Sequence, residues 1–426
     1  MKKNNQIYNF AKKIINYPRS LSGRGARETL REIKKIIPNL KIKSFKSGKK
    51  VFDWKIPYEW ILKSAWIKNE NGNKIIDFKD NNLHVVGYSK KVSKILNFKK
   101  LKENIFYLKN QTNAIPYVTS YYKKNWGFCM TYNEFKKLKK KENFEVLIDS
   151  SFKKSKLIYG ENILKGRKKN EILLSTYICH PSMANNELSG PIVTSLISNW
   201  ISKFKKRQFT YRIVFLPETI GSIAYIKHNL NYLKNNVIAG YVLTCLGDER
   251  AYSLLPTKYG KTLSDRVASK IFKTKKIKFK TYSWLDRGSD ERQYGSPNVD
   301  LPIASIMRTK YGKYPEYHTS DDKFGKVVTI RGINQSFEIM KSIVNYFENS
   351  IFPLSKNTCE PFLTKKNLIK TYSTKIKNKK TENILNFLTY SDGKNEFEEI
   401  CKLIKLNKIE GKKILKLLLK EKLITI

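Results

Sequence analysis

Two of the four histidines in this chain lie in segments that combine an imidazole with nearby polar groups. His180 follows the apolar run Ile172–Leu174, which predicts a buried strand, and a turn through Pro181 comes next. The polar stretch Asn185–Gly190 then opens a predicted helix. Open α/β sheets bind their ligands at such a place, where a strand ends beside the start of a helix. His180 is therefore a candidate functional residue.

Three further segments carry groups of the same chemical kind. Glu218 follows a predicted strand and Pro217, and a carboxylate near an apolar strand can have a raised pKa and act as a general base on water. The stretch Asp286–Tyr294 is dense in acids and arginines, and arginine binds carboxylates through two parallel hydrogen bonds. His318 lies in a loop between carboxylates that can orient its ring.

Two imidazoles and several carboxylates on separate loops fit a catalytic zinc ion with an open coordination position. Each segment alone also fits a capped turn or a surface ion pair. The four segments together favour the metal site over that alternative, provided that each lies at a strand end of one sheet.

Six longer stretches resemble a known family. They are Ile178–Pro191 (ICHPSMANNELSGP), Leu216–Ile226 (LPETIGSIAYI), Gly240–Gly260 (GYVLTCLGDERAYSLLPTKYG), Asp286–Pro297 (DRGSDERQYGSP), Tyr314–Asp322 (YPEYHTSDD) and Val51–Trp60 (VFDWKIPYEW). The family is that of bacterial aminopeptidase-like proteins related to the M28 zinc peptidases, which have a nested β domain and a C-terminal winged helix. Its members are often linked with surface-polysaccharide biosynthesis clusters. The resemblance covers nearly the whole chain and implies a phosphorylase/hydrolase-like α/β sandwich.

The resemblance also implies roles for single residues. His180 and His318 match the first and last metal-binding histidines of the zinc aminopeptidases, and Glu218 matches their general base. Asn186, however, stands where those enzymes have the aspartate that bridges two metals.

Two other positions lack the carboxylates of those enzymes. Thr219 stands in place of a carboxylate ligand and Thr244 in place of a further aspartate. Because neutral groups cannot offset two dications about 4 Å apart, we expect one zinc ion rather than a pair.

For that single ion we predict the ligands His180, His318 and Asp290, with Glu187 or Glu218 as substitutes for Asp290. Further candidates for a ligand or for a supporting group are Asn186, Glu187 and Asp322, with Asp322 as the partner of His318. Candidate substrate-binding residues are Arg287, Arg292 and Arg308 for a carboxylate or an oxyanion, and Tyr294, Tyr311 and Tyr317 for the pocket lining.

These residues predict a metal-dependent aminopeptidase or amidohydrolase, with Glu218 as the catalytic base. Its substrate would be a peptide or a small molecule such as an N-acylated sugar in surface-polysaccharide metabolism. The alternative is a metal-free protein of the same fold that senses a ligand and uses its winged helix for DNA or protein contacts. The missing carboxylates favour this alternative, and the retained His180, Glu218, Asp290 and His318 oppose it.

The net charge of +48 suggests nucleic acid as a partner, but we do not favour it. Only 13 of the 84 basic residues are arginine, and abundant Lys, Asn, Ile, Phe and Tyr are also the product of an AT-rich coding sequence.

Five scattered cysteines predict reduced thiols in a cytoplasmic protein. No apolar run approaches 18 residues, so we expect no membrane span, and the oligomeric state, a homo-oligomer included, stays open.

The predicted secondary structure changes twice along the chain, and these changes predict three domains. Helix–strand alternation over residues 1–50 and 146–375 indicates a discontinuous α/β domain, with strands at Glu145–Ile148, Ile172–Tyr177, Tyr211–Leu216, Ala239–Leu246 and Pro302–Met307. Residues 51–145 read as an inserted β-rich domain, with runs at Glu59–Leu62 and His84–Tyr88 and a hairpin turn at Asn71-Gly72. Residues 376–426 predict three short helices and a strand, a winged helix whose third helix carries Lys412, Lys413, Lys416 and Lys420. We favour a packing or dimerisation role for this domain over DNA binding.

Overall fold

The computed structural model describes residues 2–369 and 378–426. It divides into two compact units, residues 1–343 and 344–426. No helix in the described part of the chain combines the length and the apolar character that crossing a lipid bilayer requires. All five cysteines are free, and only Cys359 is exposed.

The helices are α1 (Lys2–Ile15), α2 (Arg24–Ile36), α3 (Phe98–Lys102), α4 (Tyr132–Lys136), α5 (Ser189–Ser202), α6 (Ile220–Asn236), α7 (Leu263–Thr274), α8 (Glu291–Tyr294), α9 (Ile330–Asn349), α10 (Lys379–Thr389), α11 (Phe397–Leu403) and α12 (Lys408–Lys420). The strands are β1 (Lys41–Lys46), β2 (Lys50–Val51), β3 (Trp54–Lys55), β4 (Glu59–Lys68), β5 (Lys74–Asp77), β6 (Val92–Asn97), β7 (Ile105–Phe106), β8 (Phe128–Cys129), β9 (Asn143–Lys153), β10 (Lys156–Leu164), β11 (Glu171–Tyr177), β12 (Thr210–Leu216), β13 (Val237–Leu243), β14 (Ser253–Leu255), β15 (Lys280–Thr281), β16 (Ile303–Met307), β17 (Leu354–Ser355) and β18 (Ile424–Thr425).

An eight-stranded mixed sheet forms the centre of the first unit, in the order β1-β10-β12-β11-β13-β16-β14-β15. Its four middle strands, β12, β11, β13 and β16, are mutually parallel. Every residue of β11, β12, β13 and β16 is buried, which explains why these strands are continuous apolar runs in the sequence. Because parallel strands end at one edge, the loops after all four lie together.

A second, antiparallel sheet has the order β5-β4-β9-β6 and its own core, which includes Ile67, Phe128, Phe144 and Val146. Strands β4 and β5 pair through a turn that contains Gly72 at φ 76°, so the predicted hairpin at Asn71-Gly72 is confirmed.

Two strand predictions in this region are wrong. The strand at Glu145–Ile148 belongs to this sheet, as part of β9, and not to the α/β sheet. His84–Tyr88 is not a continuous strand. His84 ends a 3-10 turn that the Asn81 side chain caps, and Val85 and Gly87 form only isolated bridges to Phe128 and Thr119.

The second unit contains α10, α11 and α12 and the two-stranded sheet β17-β18. These elements share a core that includes Ile384, Phe387, Ile400, Ile414 and Leu418. Three helices and a short strand pair around one small core are the winged-helix arrangement that the sequence predicts.

Candidate active site

The loops that follow β11 and β12 bring His180 and Glu218 together. His180 is 5% exposed, and its Nε2 lies 3.5 Å from Oε2 of Glu218. The other ring nitrogen, Nδ1, lies 3.0 Å from Oε2 of Glu187. The Arg19 guanidinium donates a 2.8 Å hydrogen bond from Nε to the His180 carbonyl. The His180 ring is thus fixed on one side by Glu187 and faces Glu218 with the other.

The second predicted histidine lies beside the first. The ring centroids of His180 and His318 are 5.7 Å apart. Tyr317 stacks on the His318 ring at 3.9 Å, and Tyr117 meets both imidazoles edge-on, each at 5.2 Å. The main-chain N–H of Tyr117 donates to the His318 carbonyl. The two imidazoles therefore share one cleft, under a segment from the loop between β7 and β8.

The two histidines have opposite electrostatic environments. Burial by itself lowers the pKa of His180, but the Cys179 thiol and the Glu187 carboxylate at Nδ1 more than offset this effect and raise it well above its ordinary value. Burial lowers the pKa of His318 to about 3, and the neighbouring His180 adds to that shift. His318 is therefore a neutral imidazole, which is the form that binds metal ions.

Glu218 is both anchored and accessible. The Ser289 hydroxyl donates a 2.7 Å hydrogen bond to Oε1, and the Glu218 main-chain N–H donates to the Cys179 sulfur. The side chain is 20% exposed. One carboxylate oxygen is therefore held by Ser289, while the other points toward His180 and stays free for a proton.

Asp290 lies against the turn that follows Glu218 and is fully buried. Its Oδ1 accepts hydrogen bonds from the Thr219 main-chain N–H (2.7 Å) and the Ser222 hydroxyl (2.8 Å). Its Oδ2 has no hydrogen-bond partner among the described residues. Burial and then the Glu218 charge raise the pKa of Asp290 to about 7. A buried carboxylate oxygen without a donor is a position that a cation can satisfy.

Asp322 does not support His318, in contrast to our prediction. Its two oxygens accept hydrogen bonds from the main-chain N–H groups of Asn185 and Asn186, at 2.7 and 2.9 Å. These residues belong to the π-helical turn Ala184–Leu188 that leads into α5. Asp322 therefore holds the turn that carries Asn186 and Glu187, because the first N–H groups of a helix need acceptors.

The neutral residues at the other matched positions form their own network. Asn186 Oδ1 accepts a hydrogen bond from the Tyr177 hydroxyl, and its Nδ2 has no partner among the described residues. The same Tyr177 hydroxyl lies 2.6 Å from Oγ1 of Thr244. Because these groups carry no charge, the residues do not fit two adjacent dications.

One ion fits the residues better. His180 Nε2 faces Glu218 at 3.5 Å, the neutral His318 ring lies beside the His180 ring, and Glu187 holds its Nδ1. Among the described residues, the group whose possible ligand atoms all lie within 4.8 Å of one another is Cys179, His180 and Glu187, and the unpartnered Asp290 Oδ2 is not part of it. Imidazole nitrogens with a carboxylate are the usual donor set of a catalytic zinc site.

Among the predicted substrate-binding residues, Arg292 and Tyr317 lie at this cleft. Arg292 donates a 2.7 Å hydrogen bond to Oγ1 of Thr219, and its buried Nε has no partner in the described part of the chain.

The other four have different contacts. Arg287 stacks over Trp284, Arg308 stacks over Tyr252 at 3.7 Å and donates to Gln335, Tyr294 pairs with Ser175, and Tyr311 donates to Glu291. These contacts give the four side chains other partners, and their roles toward a substrate stay predictions. Tyr311 contacts the site only indirectly. Its hydroxyl donates to Glu291, and Glu291 also accepts from the main-chain N–H of Ser289, the residue whose hydroxyl binds Glu218.

Sequence reasoning missed three residues around His180. Cys179 Sγ, His180 and Glu187 donor atoms all lie within 4.8 Å of one another, and Arg19 and Tyr117 complete the surroundings. Cys179 precedes His180 directly, which was a visible signal, whereas Arg19 and Tyr117 come from distant segments. Burial raises the pKa of Cys179 to about 11, so this thiol is protonated and a poor nucleophile.

Comparison with known proteins identifies the family of this chain. A sequence profile described as a domain of unknown function, DUF4910, matches residues 8–350, and one described as a winged helix-turn-helix matches residues 352–426. A Clostridium acetobutylicum protein is 41% identical over 364 residues, which are 85% of this chain and 82% of that protein. Its name provisionally describes a polysaccharide biosynthesis protein with an aminopeptidase-like domain.

Solved structures give the same result for the fold. A Clostridium acetobutylicum crystal structure, provisionally named a peptidase, aligns with a TM-score of 0.80 and 37% identity over 100% of this chain and 96% of that one. A zinc aminopeptidase from Bacillus subtilis aligns with a TM-score of 0.60 and 11% identity over 80% and 93%. The predicted aminopeptidase-like α/β fold with a C-terminal winged helix is confirmed.

Proposed function

Since the chain belongs to the DUF4910 family and has the fold of zinc aminopeptidases, we propose that it is a hydrolase of a peptide or amide bond that uses one zinc ion. The observation that supports this proposal is the meeting of His180, His318 and Glu218 in one cleft. Glu218 is the proposed base, and His180, His318 and Asp290 are the proposed ligands.

In this proposal His180 Nε2, a ring nitrogen of His318 and Asp290 Oδ2 hold the ion. When bound, zinc supplies Lewis acidity toward a carbonyl oxygen and toward water. Glu187 would accept the Nδ1 proton of His180, and an ion at Nε2 would take the place of the second proton that the raised pKa of this ring favours.

Glu218 moves the proton. Its Oε2 takes a proton from the attacking water as the water oxygen bonds to the carbonyl carbon, and it returns this proton to the nitrogen when the C–N bond breaks. Ser289 holds Oε1 throughout, so the exchange stays on the oxygen that faces His180. Arg292, with its free Nε, binds the substrate carboxylate or the oxyanion.

The Tyr117 ring lies against both imidazoles and narrows the cleft. A narrow cleft favours a small substrate over a folded protein. Together with the name of the Clostridium relative, this supports a peptide or an N-acylated sugar as substrate.

The test measures zinc in protein purified without chelator and hydrolysis of aminoacyl amides and N-acetylhexosamines. We expect one zinc per chain and activity on one of these groups, with a loss of at least ~100-fold in kcat for Glu218→Gln. A Glu218→Gln variant as active as the wild type would refute the role of Glu218. Protein with neither metal nor activity would favour the ligand-sensing alternative, which the neutral Asn186 and Thr244 support.

A further inference from the structure

A second pocket, of about 310 Å³, lies between the β2–β3 hairpin and the helices α6 and α8. The hairpin tip contributes Phe52, Asp53 and Trp54, and α6 contributes apolar side chains such as Ile226 and Leu230. Its volume is at the lower end of the range of small-molecule sites, which suits a compact ligand.

The aromatic residue at the tip of this hairpin has an unfavourable backbone conformation. Phe52 has φ 53° and is 41% exposed, at a turn position where glycine is the usual residue. A bulky residue with positive φ is uncommon, and such strain concentrates at functional sites. Trp54 is also 37% exposed, and the ring of Tyr122 meets it edge-on at 5.5 Å. The fold therefore keeps two large aromatic rings at the mouth of the pocket without burying them.

The polar side chains of the pocket are available to a ligand. Asp53 and Gln293 make no side-chain hydrogen bond to any residue in the described ranges 2–369 and 378–426. Together with Ser296 and Asn298 they provide a carboxylate, two amides and a hydroxyl around apolar walls. Planar groups of this kind can each donate to or accept from neighbouring hydroxyls.

We propose that this pocket binds a pyranose ring of a carbohydrate. The C–H groups on the face of a sugar ring carry partial positive charge and pack on the electron-rich face of Trp54 and on the part of the Phe52 ring that the Lys227 ammonium, 5.1 Å from its centroid, leaves open. Its hydroxyl groups bind Asp53 and Gln293, which a purely apolar ligand would leave without partners. An aliphatic peptide side chain would satisfy only the rings, whereas a sugar ring offers both a C–H face and hydroxyl groups.

The pocket is built partly from elements that begin at the candidate active site. Helix α6 begins at Ile220, directly after Glu218 and Thr219, and Gln293 follows Arg292, which donates to Thr219. Binding here needs neither the ion nor Glu218, so the inference goes beyond the proposed hydrolysis.

Isothermal titration of the full-length protein tests the proposal. The probes are glucose, galactose, N-acetylglucosamine and N-acetylgalactosamine, with trialanine as the non-sugar. We expect saturable binding of at least one sugar, and an affinity about tenfold weaker in Trp54→Ala, which corresponds to about 1.4 kcal/mol. The control is Tyr259→Ala, which removes a 68% exposed ring outside the pocket and should leave the affinity unchanged.

A second variant separates binding from folding. In Phe52→Gly the backbone strain disappears, so we expect a Tm at or above that of the wild type together with weaker sugar binding. The proposal is overturned if no sugar binds saturably, if trialanine binds in their place, or if both variants keep the wild-type affinity.

Discussion

Nε2 of His180 lies 3.5 Å from Oε2 of Glu218, and the two residues follow adjacent parallel strands, β11 and β12. On the opposite side of the ring, Glu187 binds Nδ1 at 3.0 Å. One imidazole is thus flanked by two carboxylates with different tasks, one that orients the ring and one that is free to take a proton.

Zinc content of histidine variants tests the proposed ligands. His180 and His318 lie at the site, and the other two histidines lie elsewhere and can serve as controls. We expect His180→Ala and His318→Ala each to lower zinc content well below one ion per chain, measured by mass spectrometry of the metal. His228→Gln should keep the metal, because the His228 ring packs on Phe45 and bonds to the Ala224 carbonyl. Full metal content in both site variants would contradict the proposed ligands.

Ser289→Ala tests the anchoring of the base. Without the 2.7 Å hydrogen bond the Glu218 carboxylate loses its fixed orientation, so we expect kcat to fall about 10-fold to 100-fold. The KM should change little, because Ser289 does not contact substrate in this proposal. Ser342→Ala, which removes an exposed helix hydroxyl, is the control. A Ser289→Ala rate equal to that of the control would contradict the anchoring role.

A buried ion network links stability to pH. Arg212 bonds Glu161 at 2.8 Å and Glu171 at 2.5 Å. Burial alone raises the pKa of Glu161, but Lys43, Tyr225 and Arg212 outweigh it and hold that pKa below its ordinary value. A depressed folded-state pKa gives stability that is present above the unfolded-state pKa and lost as pH falls through the folded-state pKa.

Urea unfolding at several pH values measures this effect. We expect Glu161→Gln to lower the free energy of unfolding at pH 7 by about 1–3 kcal/mol. We also expect this deficit to shrink as the pH falls below about 4.5, where the unfolded-state carboxylate binds a proton, and to vanish below the lower pKa of the folded state. Glu28→Gln, at an exposed pair with Arg31, should match the wild type. A deficit that does not change with pH would show that charge is not the cause.

Gly190 allows α5 to begin close against the sheet. A Cβ atom there would lie 2.4 Å from the Leu243 carbonyl oxygen and 2.5 Å from Oγ1 of Thr176. Because both neighbours are on buried strands, we expect Gly190→Ala to destabilise the protein by about 1–3 kcal/mol, with a lower Tm. Asn199→Ala in the same helix serves as the control. An unchanged Tm would mean that the strands can shift apart at no cost.

The winged helix is not unusually basic for this chain. Residues 344–426 contain 17 lysines and 9 acidic residues, a charge density no higher than that of the whole protein. We therefore predict that Lys→Gln changes at 412, 413, 416 and 420 weaken duplex DNA binding no more than four such changes at exposed lysines elsewhere. Fluorescence anisotropy at several salt concentrations measures both sets. A selective loss in the α12 variant would instead assign DNA binding to this helix.

Much of the fold was readable because its signals are local. The parallel strands β11, β12, β13 and β16 are apolar runs, and the helices of the winged domain are amphipathic segments with clear breaks. The sequence analysis assigned the strand at Glu145–Ile148 to the wrong sheet, because the alternation of residues in a strand does not indicate which neighbouring strand it pairs with. That choice depends on contacts with β4 and β6, which are distant in sequence.

The sequence by itself determined which strand ends carry chemistry, since His180 and Glu218 follow buried runs and parallel strands must end at one edge. Only the tertiary structure decided how the remaining groups are used. Asp322 holds a helical turn rather than His318, Arg308 stacks on Tyr252, and Arg19 and Tyr117 come from separate segments to enclose His180. The physical reason is that hydrogen bonds and ring contacts depend on distances of a few ångströms between residues far apart in the chain, and no spacing pattern records these distances.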